Sequence, residues 1–180
     1  MIGRLIGGFL RELRSGSVKV SPMVVERRAV RAVLLTPEDE VLLMRIHPPN
    51  SCHHFWITPG GGLELGESAI DGLRRELREE LGLLEFEIGP LVWRRHHTFD
   101  WGDQRISQKE EYYIVRAQRF DPQMSDEVEA QVLHSFRWWP AAALAASEEK
   151  LTPLSLAKIV AAYLQNGPPI GPLEVEELID

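Results

Sequence analysis

The chain has 180 residues, a formal net charge of −7 at pH 7 and a hydrophobic fraction of 44%. That length supports one well-buried core and is short for two, and the acidic balance argues against binding along a nucleic-acid backbone, so no nucleic-acid partner is expected. The single cysteine, Cys52, excludes an intramolecular disulfide and points to a reducing, cytoplasmic setting; no stretch is long and apolar enough to span a membrane.

Met1 to Arg14 is amphipathic: Ile2, Leu5, Ile6, Phe9, Leu10 and Leu13 share one helical face, with Arg4, Arg11, Glu12 and Arg14 elsewhere. Residues 1–27 are read as an N-terminal amphipathic helix and lead-in. A basic amphipathic helix can lie on a membrane surface, but Gly7 and Gly8 weaken it as a free-standing element. Packing on the domain or on a second subunit is favoured, which leaves a homodimer open. Ala29 to Leu35 and Val41 to Ile46 are apolar, β-branched runs separated by Thr36-Pro37-Glu38-Asp39-Glu40, the pattern of a hairpin. His47 to His54 is a loop. Its His47, Cys52, His53 and His54 match no structural zinc spacing.

Trp56-Ile57 then runs into Thr58-Pro59-Gly60-Gly61-Gly62, a tight turn whose bare backbone can approach a phosphate or lend a carbonyl to a metal. Ser68 and Asp71 form an N-terminal capping pattern, and Gly82 supplies a C-terminal stop. Between them Ile70, Leu73, Leu77 and Leu81 make one apolar stripe. Glu76, Glu79 and Glu80 fall within an arc of roughly 100° beside it, since each residue turns a helix by about 100°. Carboxylates so close repel one another unless a cation neutralises them, and hard oxygen ligands select Mg²⁺ or Mn²⁺ over zinc. The plainer alternative is a solvated helix face laced with ion pairs, because Arg74, Arg75 and Arg78 sit among the glutamates. Glycine loop, capped helix and clustered carboxylates together favour the metal site.

Leu91 to Phe99 and Gln108 to Ala117 read as strands joined through Asp100-Trp101-Gly102-Asp103. Arg94, Arg95, His96 and His97 crowd the first, and Lys109, Glu110 and Glu111 the second. Alternation sends half of each set to each face. Gln118 to Ala130 is a polar, acidic loop, and Ser135 to Trp139 a short last strand. Pro140 to Ala146 and Pro153 to Leu164 read as helices with proline near the start. Residues 166–180 are a Pro/Gly-rich stretch followed by an acidic tail, expected to be mobile or packed on another subunit.

Gly61, Glu67, Arg75, Glu76, Leu77, Glu79, Glu80, Gly82 and Leu83 occupy the positions of the Nudix box, and the run from Gly61 to Leu83 resembles that motif without a departure. With seven fixed positions each matched by chance about 7% of the time, coincidence has a probability on the order of 10⁻⁸. The resemblance implies a Nudix α/β/α sandwich with a mixed β-sheet over residues 28–165. It implies a metal-dependent hydrolase in which water attacks phosphorus of a diphosphate attached to a nucleoside or similar group. Glu76, Glu79 and Glu80 are the expected catalytic metal ligands, with Glu79 or Glu80 also able to take the proton of the attacking water. The Gly61 carbonyl is a further ligand, and Glu129, or Glu127, stands for the late-loop carboxylate that many relatives add. Glu67 and Arg75 are expected to brace loop against helix.

Arg28, Arg31, Arg45, Arg95 and Lys109 are the candidates for binding substrate phosphate, arginine through its planar fork. Trp93, Trp101 and Tyr113 are candidates to stack on a base or to join the core. Signals for ADP-ribose or coenzyme A substrates are absent; nucleoside triphosphates, dinucleoside polyphosphates and nucleotide sugars remain. Two alternatives are an isopentenyl diphosphate isomerase-like enzyme, for which Cys52 is the only cysteine, and a nucleotide sensor without turnover. The intact box disfavours both.

Overall fold

The computed structural model describes residues 24–47, 53–123, 133–170 and 173–179. The N-terminal helix expected at Met1 to Arg14, Cys52, Glu127 and Glu129 lie outside them. The strands are β1 (Val24–Leu35), β2 (Glu40–Ile46), β3 (Phe55–Ile57), β4 (Glu87–Trp101), β5 (Gln104–Arg116), β6 (Leu133–Pro140), β7 (Leu151–Thr152) and β8 (Val175–Ile179). The helices are α1 (Ala69–Leu81) and α2 (Leu156–Asn166), with a 3₁₀ turn at Ala141–Ala146. No helix among the described residues is long and apolar enough to cross a membrane.

The strands form one mixed sheet in the order β7-β3-β2-β1-β5-β4-β8, with β6 on the other edge of β2. β1 pairs parallel with β5 along its whole length, and β4 antiparallel with β5. Apart from Arg31, the second half of β1 is apolar on both faces, and both faces are covered. Val30, Ala32 and Leu34 pack with Leu73, Leu77 and Leu81 of α1 on one side; Val33 and Leu35 pack with Leu156, Ile159 and Val160 of α2 on the other. The result is the expected α/β/α arrangement with a mixed sheet.

Three expectations are corrected. The β1–β2 hairpin closes only at its turn, with Leu35 paired to Val41; beyond that the strands part. The glycine turn enters the gap and takes the edge of β1: Val30 N–H donates to the Gly61 carbonyl at 2.9 Å, Ala32 N–H to Pro59 at 2.8 Å, and Leu63 N–H to Arg28 at 2.9 Å. The acidic tail, expected to be mobile or packed on another subunit, pairs within the chain over its described part: β8 adds a parallel strand to β4 from Arg94↔Val175 to Thr98↔Ile179. Glu176 fastens it, accepting from Ser155 Oγ at 2.5 Å and Trp93 Nε1 at 3.2 Å. The apolar stripe of α1 is narrower than the spacing implied: Ile70 is 36% exposed, and Gly72 lies buried beneath Leu63 instead.

Candidate active site

α1 begins where expected. The Ser68 hydroxyl accepts from the Asp71 N–H at 3.2 Å and caps the first turn. The helix stops at Gly82, which adopts φ 65° and returns its N–H to Arg78 at 3.0 Å. That registers Leu73, Leu77 and Leu81 on the sheet and carries Glu76 and Glu80 inward with them. Glu79, one step round the helix, keeps a side chain 38% exposed.

The glycine loop lies directly on these carboxylates. A Cβ on Gly61 would stand 2.6 Å from Glu76 Oε2, so only glycine lets the loop lie against that side chain. Gly60 N–H donates to Glu80 Oε2 at 2.8 Å. Burial, with the negative charge of Glu76 adding to it, pushes the Glu80 carboxyl up to about 7.

Arg75 ties helix to loop. Its guanidinium donates to Glu67 at 2.8 and 2.7 Å, to Glu76 at 2.6 Å, to Glu79 at 3.2 Å and to the Gly62 carbonyl at 3.0 Å. The hydrogen bond to Glu67, followed by Glu76, raises its pKa further although burial opposes this. As the side chains lie, no three His, Cys, Asp or Glu among the described residues are close enough together to hold a metal ion. The donor chemistry nonetheless fits a hard divalent cation: all-oxygen carboxylates beside a bare backbone, two of them buried.

Next to the loop is a cleft of about 270 Å³ on the α1 side of the sheet. Its floor is two cross-strand rows, Arg28–Lys109–His96–Glu177 and Glu111–Arg94–Val175, and Leu63 follows the glycine loop into its wall. Arg94 is held by Glu111 at 3.2 Å, and His96 Nδ1 lies 2.9 Å from Glu177. Of the expected phosphate binders, Arg28 and Lys109 are thus neighbours in register on this floor.

The side chains of the others are engaged elsewhere, although the strand positions of Arg95 and Glu110 also border the cleft. Arg31 and Arg95 are buried on the opposite face and converge on Glu110 at 3.2 and 2.6 Å. Burial alone would raise Glu110, but Arg31, Arg95 and the Tyr112 hydroxyl outweigh it and hold the carboxyl at about 2. Arg45 lies on the same strand face as Val41 and Leu43 of the α2-side core, away from the cleft, and contacts His54. Trp93 serves β8 through Glu176, while Trp101 and Tyr113 pack against the α1-side core.

The sequence reading passed over Arg27, whose Nη2 would stand 3.0 Å from a Cβ on Gly62 and whose charge reaches Glu76. Burial, then the charge of Arg31, lowers its pKa. Its place two residues before Ala29 and four before Arg31, on one face of β1, was the available signal. No local signal marked Val175 and Glu177 as cleft residues.

A family profile described as NUDIX domain matches residues 25–163. The human 8-oxo-dGDP phosphatase NUDT18 is 43% identical over 54 residues, which is 30% of this chain and 16% of that protein. The m7GpppN-mRNA hydrolase NUDT17 of Bos taurus is 31% identical over 132 residues, 66% of this chain and 44% of that protein. The chain therefore spans less than half the length of these two relatives. Among solved structures, the E. coli ORF135 protein superposes with a TM-score of 0.54 at 21% identity, covering 82% of this chain and 96% of its own. A C. elegans Ap4A hydrolase gives 0.55 at 19% identity, covering 77% and 98%. At such identities these likenesses speak for the fold.

Proposed function

The chain belongs to the Nudix family, and from that premise we propose that it hydrolyses the diphosphate linkage of a nucleoside diphosphate derivative, using Mg²⁺ or Mn²⁺. The observation that carries this reading is the contact of the glycine loop with buried Glu76 and Glu80, beside a cleft floored by Arg28 and Lys109. Glu76, Glu79, Glu80 and the Gly61 carbonyl would hold the cation, with Glu129 a further candidate. When bound, such a cation neutralises phosphate charge and acidifies water.

The protein groups do the rest. Arg28 and Lys109 bind and orient the phosphates, so that little beyond positioning and charge neutralisation is asked of the site. Glu79 or Glu80 accepts the proton as the water oxygen bonds to phosphorus, and the bridging P–O bond breaks to leave two phosphate products. Glu67 and Arg75 hold loop and helix in register.

The relatives' names, an 8-oxo-dGDP phosphatase and an m7GpppN-mRNA hydrolase, support a nucleotide-type substrate. The charge of −7 favours a small one: a nucleoside triphosphate, a dinucleoside polyphosphate or a nucleotide sugar. The test is the purified protein with Mg²⁺ against such a panel, with 5′-triphosphorylated RNA alongside. Release of phosphate products, stopped by chelation and restored by Mg²⁺ or Mn²⁺, is expected. Nucleotide binding with no turnover across the panel would replace the hydrolase by a sensor.

A further inference from the structure

Glu110 sits in the middle of β5 with its side chain wholly buried, and the hydrolysis proposed above makes no direct use of it. One carboxylate oxygen accepts from Arg31 Nε at 3.2 Å and Gln108 Nε2 at 2.8 Å; the other accepts from Arg95 Nε at 2.6 Å and the Tyr112 hydroxyl at 2.8 Å. Well-packed apolar residues would hold three strands together at least as firmly as a buried ion cluster. They could not reach out of the sheet to grip a loop.

Arg31 does reach. Its Nη1 donates to the Gly60 carbonyl at 2.5 Å and lies 3.5 Å from the Thr58 carbonyl. Those carbonyls belong to the two peptides flanking the Pro59–Gly60 peptide, whose own N–H bonds Glu80 at 2.8 Å. The turn lies close against β1 here: Gly60 has φ 122°, and a Cβ there would stand 2.2 Å from the Val30 carbonyl oxygen. Seen from Glu110, the line is continuous: carboxylate, guanidinium, loop peptide, Glu80.

We infer that Glu110 and Arg31 form a strut that sets the glycine loop against Glu80, so that Arg31 is a positioning residue rather than a phosphate ligand. The inference rests on the hydrolase reading of the site, and the fork of arginine is what it needs. A lysine ammonium keeps the charge beside Glu110 but cannot pair with Glu110 and the Gly60 carbonyl through one rigid plane.

The experiment compares wild type, Arg31→Lys, Glu110→Gln and the double variant by Mn²⁺ titration without substrate. Steady-state kinetics follow on the best nucleotide of the panel, with thermal melts to count folded molecules. Arg31→Lys should weaken Mn²⁺ binding by roughly 10–100-fold and lower kcat comparably, with KM within about twofold of wild type. If Glu110→Gln folds, it should do the same, and the double variant should be no worse than the more impaired single one. A raised KM at retained kcat would make Arg31 a phosphate ligand and overturn the strut. Unchanged Mn²⁺ affinity and kcat per folded molecule in Arg31→Lys would reduce the network to core structure. A wild type that neither binds Mn²⁺ nor turns over any nucleotide removes the hydrolase reading and the strut with it. Indifferent variants of a working enzyme remove the strut alone.

Discussion

Two charged clusters flank the glycine loop, one in the sheet and one on α1, and they differ in closure. In the sheet, Glu110 is enclosed by Arg31 and Arg95, with side-chain exposures of 0%, 5% and 3%. At α1, Glu76 and Glu79 of the helix and Glu67 of the loop before it share the guanidinium of Arg75, and Glu79 is still 38% exposed. Both contain buried carboxylates, yet their pKa values go opposite ways. Glu110 is held at about 2 because two guanidiniums and a hydroxyl overcome burial, whereas Glu80 rises to about 7 because burial and Glu76 prevail. A carboxylate matched on all sides acts as a fastener. A group of carboxylates with incomplete compensation and a path to solvent is a place where an added cation is favourable.

That contrast is broken most sharply on the helix. Glu79→Gln and Glu80→Gln preserve side-chain volume and remove charge, so each should cut kcat on the order of 10³-fold with the melting temperature little changed. Full turnover in both purified variants would place the chemistry elsewhere. In the sheet the same kind of change should fall on stability as well. Glu110→Gln leaves two buried guanidiniums short of a counter-charge and should cost roughly 3–5 kcal/mol in urea unfolding. A cost near zero would mean that Arg31 and Arg95 find other partners.

Acid sharpens the comparison. The folded pKa of Glu110, about 2, lies below its ordinary value of 4.5, so its stabilisation is fully present above about pH 4.5 and is lost as pH falls toward 2. A shift of that size corresponds to about 3 kcal/mol, and the wild type should lose that much more than Glu110→Gln across this window. Parallel pH profiles of the two would contradict it. The smallest effect is expected at the end of α1: Gly82→Ala, forced to φ 65°, should cost about 1 kcal/mol while leaving kcat per folded molecule unchanged. A fall in kcat there would show that Glu79 and Glu80 depend on the helix stop.

The helix of the Nudix box was legible because its signals are local. Ser68 and Gly82 act within a turn of the chain, and the arc shared by Glu76, Glu79 and Glu80 follows from the helical period alone. The strands carrying Arg28, Arg31, Arg95 and Lys109 were legible as strands, but alternation says only that neighbours part, not which face meets the cleft. Pairing decided that: β5 lies parallel to β1, which sets Lys109 beside Arg28 and leaves Arg31 on the Glu110 side.

The sequence by itself therefore determined the capped, carboxylate-bearing helix, the glycine run before it and the family they resemble: short-range capping bonds and the helical period specify the helix, and the motif is written in the residues themselves. Only the tertiary structure decided that the turn would wedge between β1 and β2, that Glu110 would reach it through Arg31, and that the acidic tail would become β8 and extend the cleft floor with Val175 and Glu177. Those outcomes depend on contacts between residues far apart in sequence, such as Trp93 with Glu176 and Arg31 with Glu110, and on which strand edge each segment finds unoccupied.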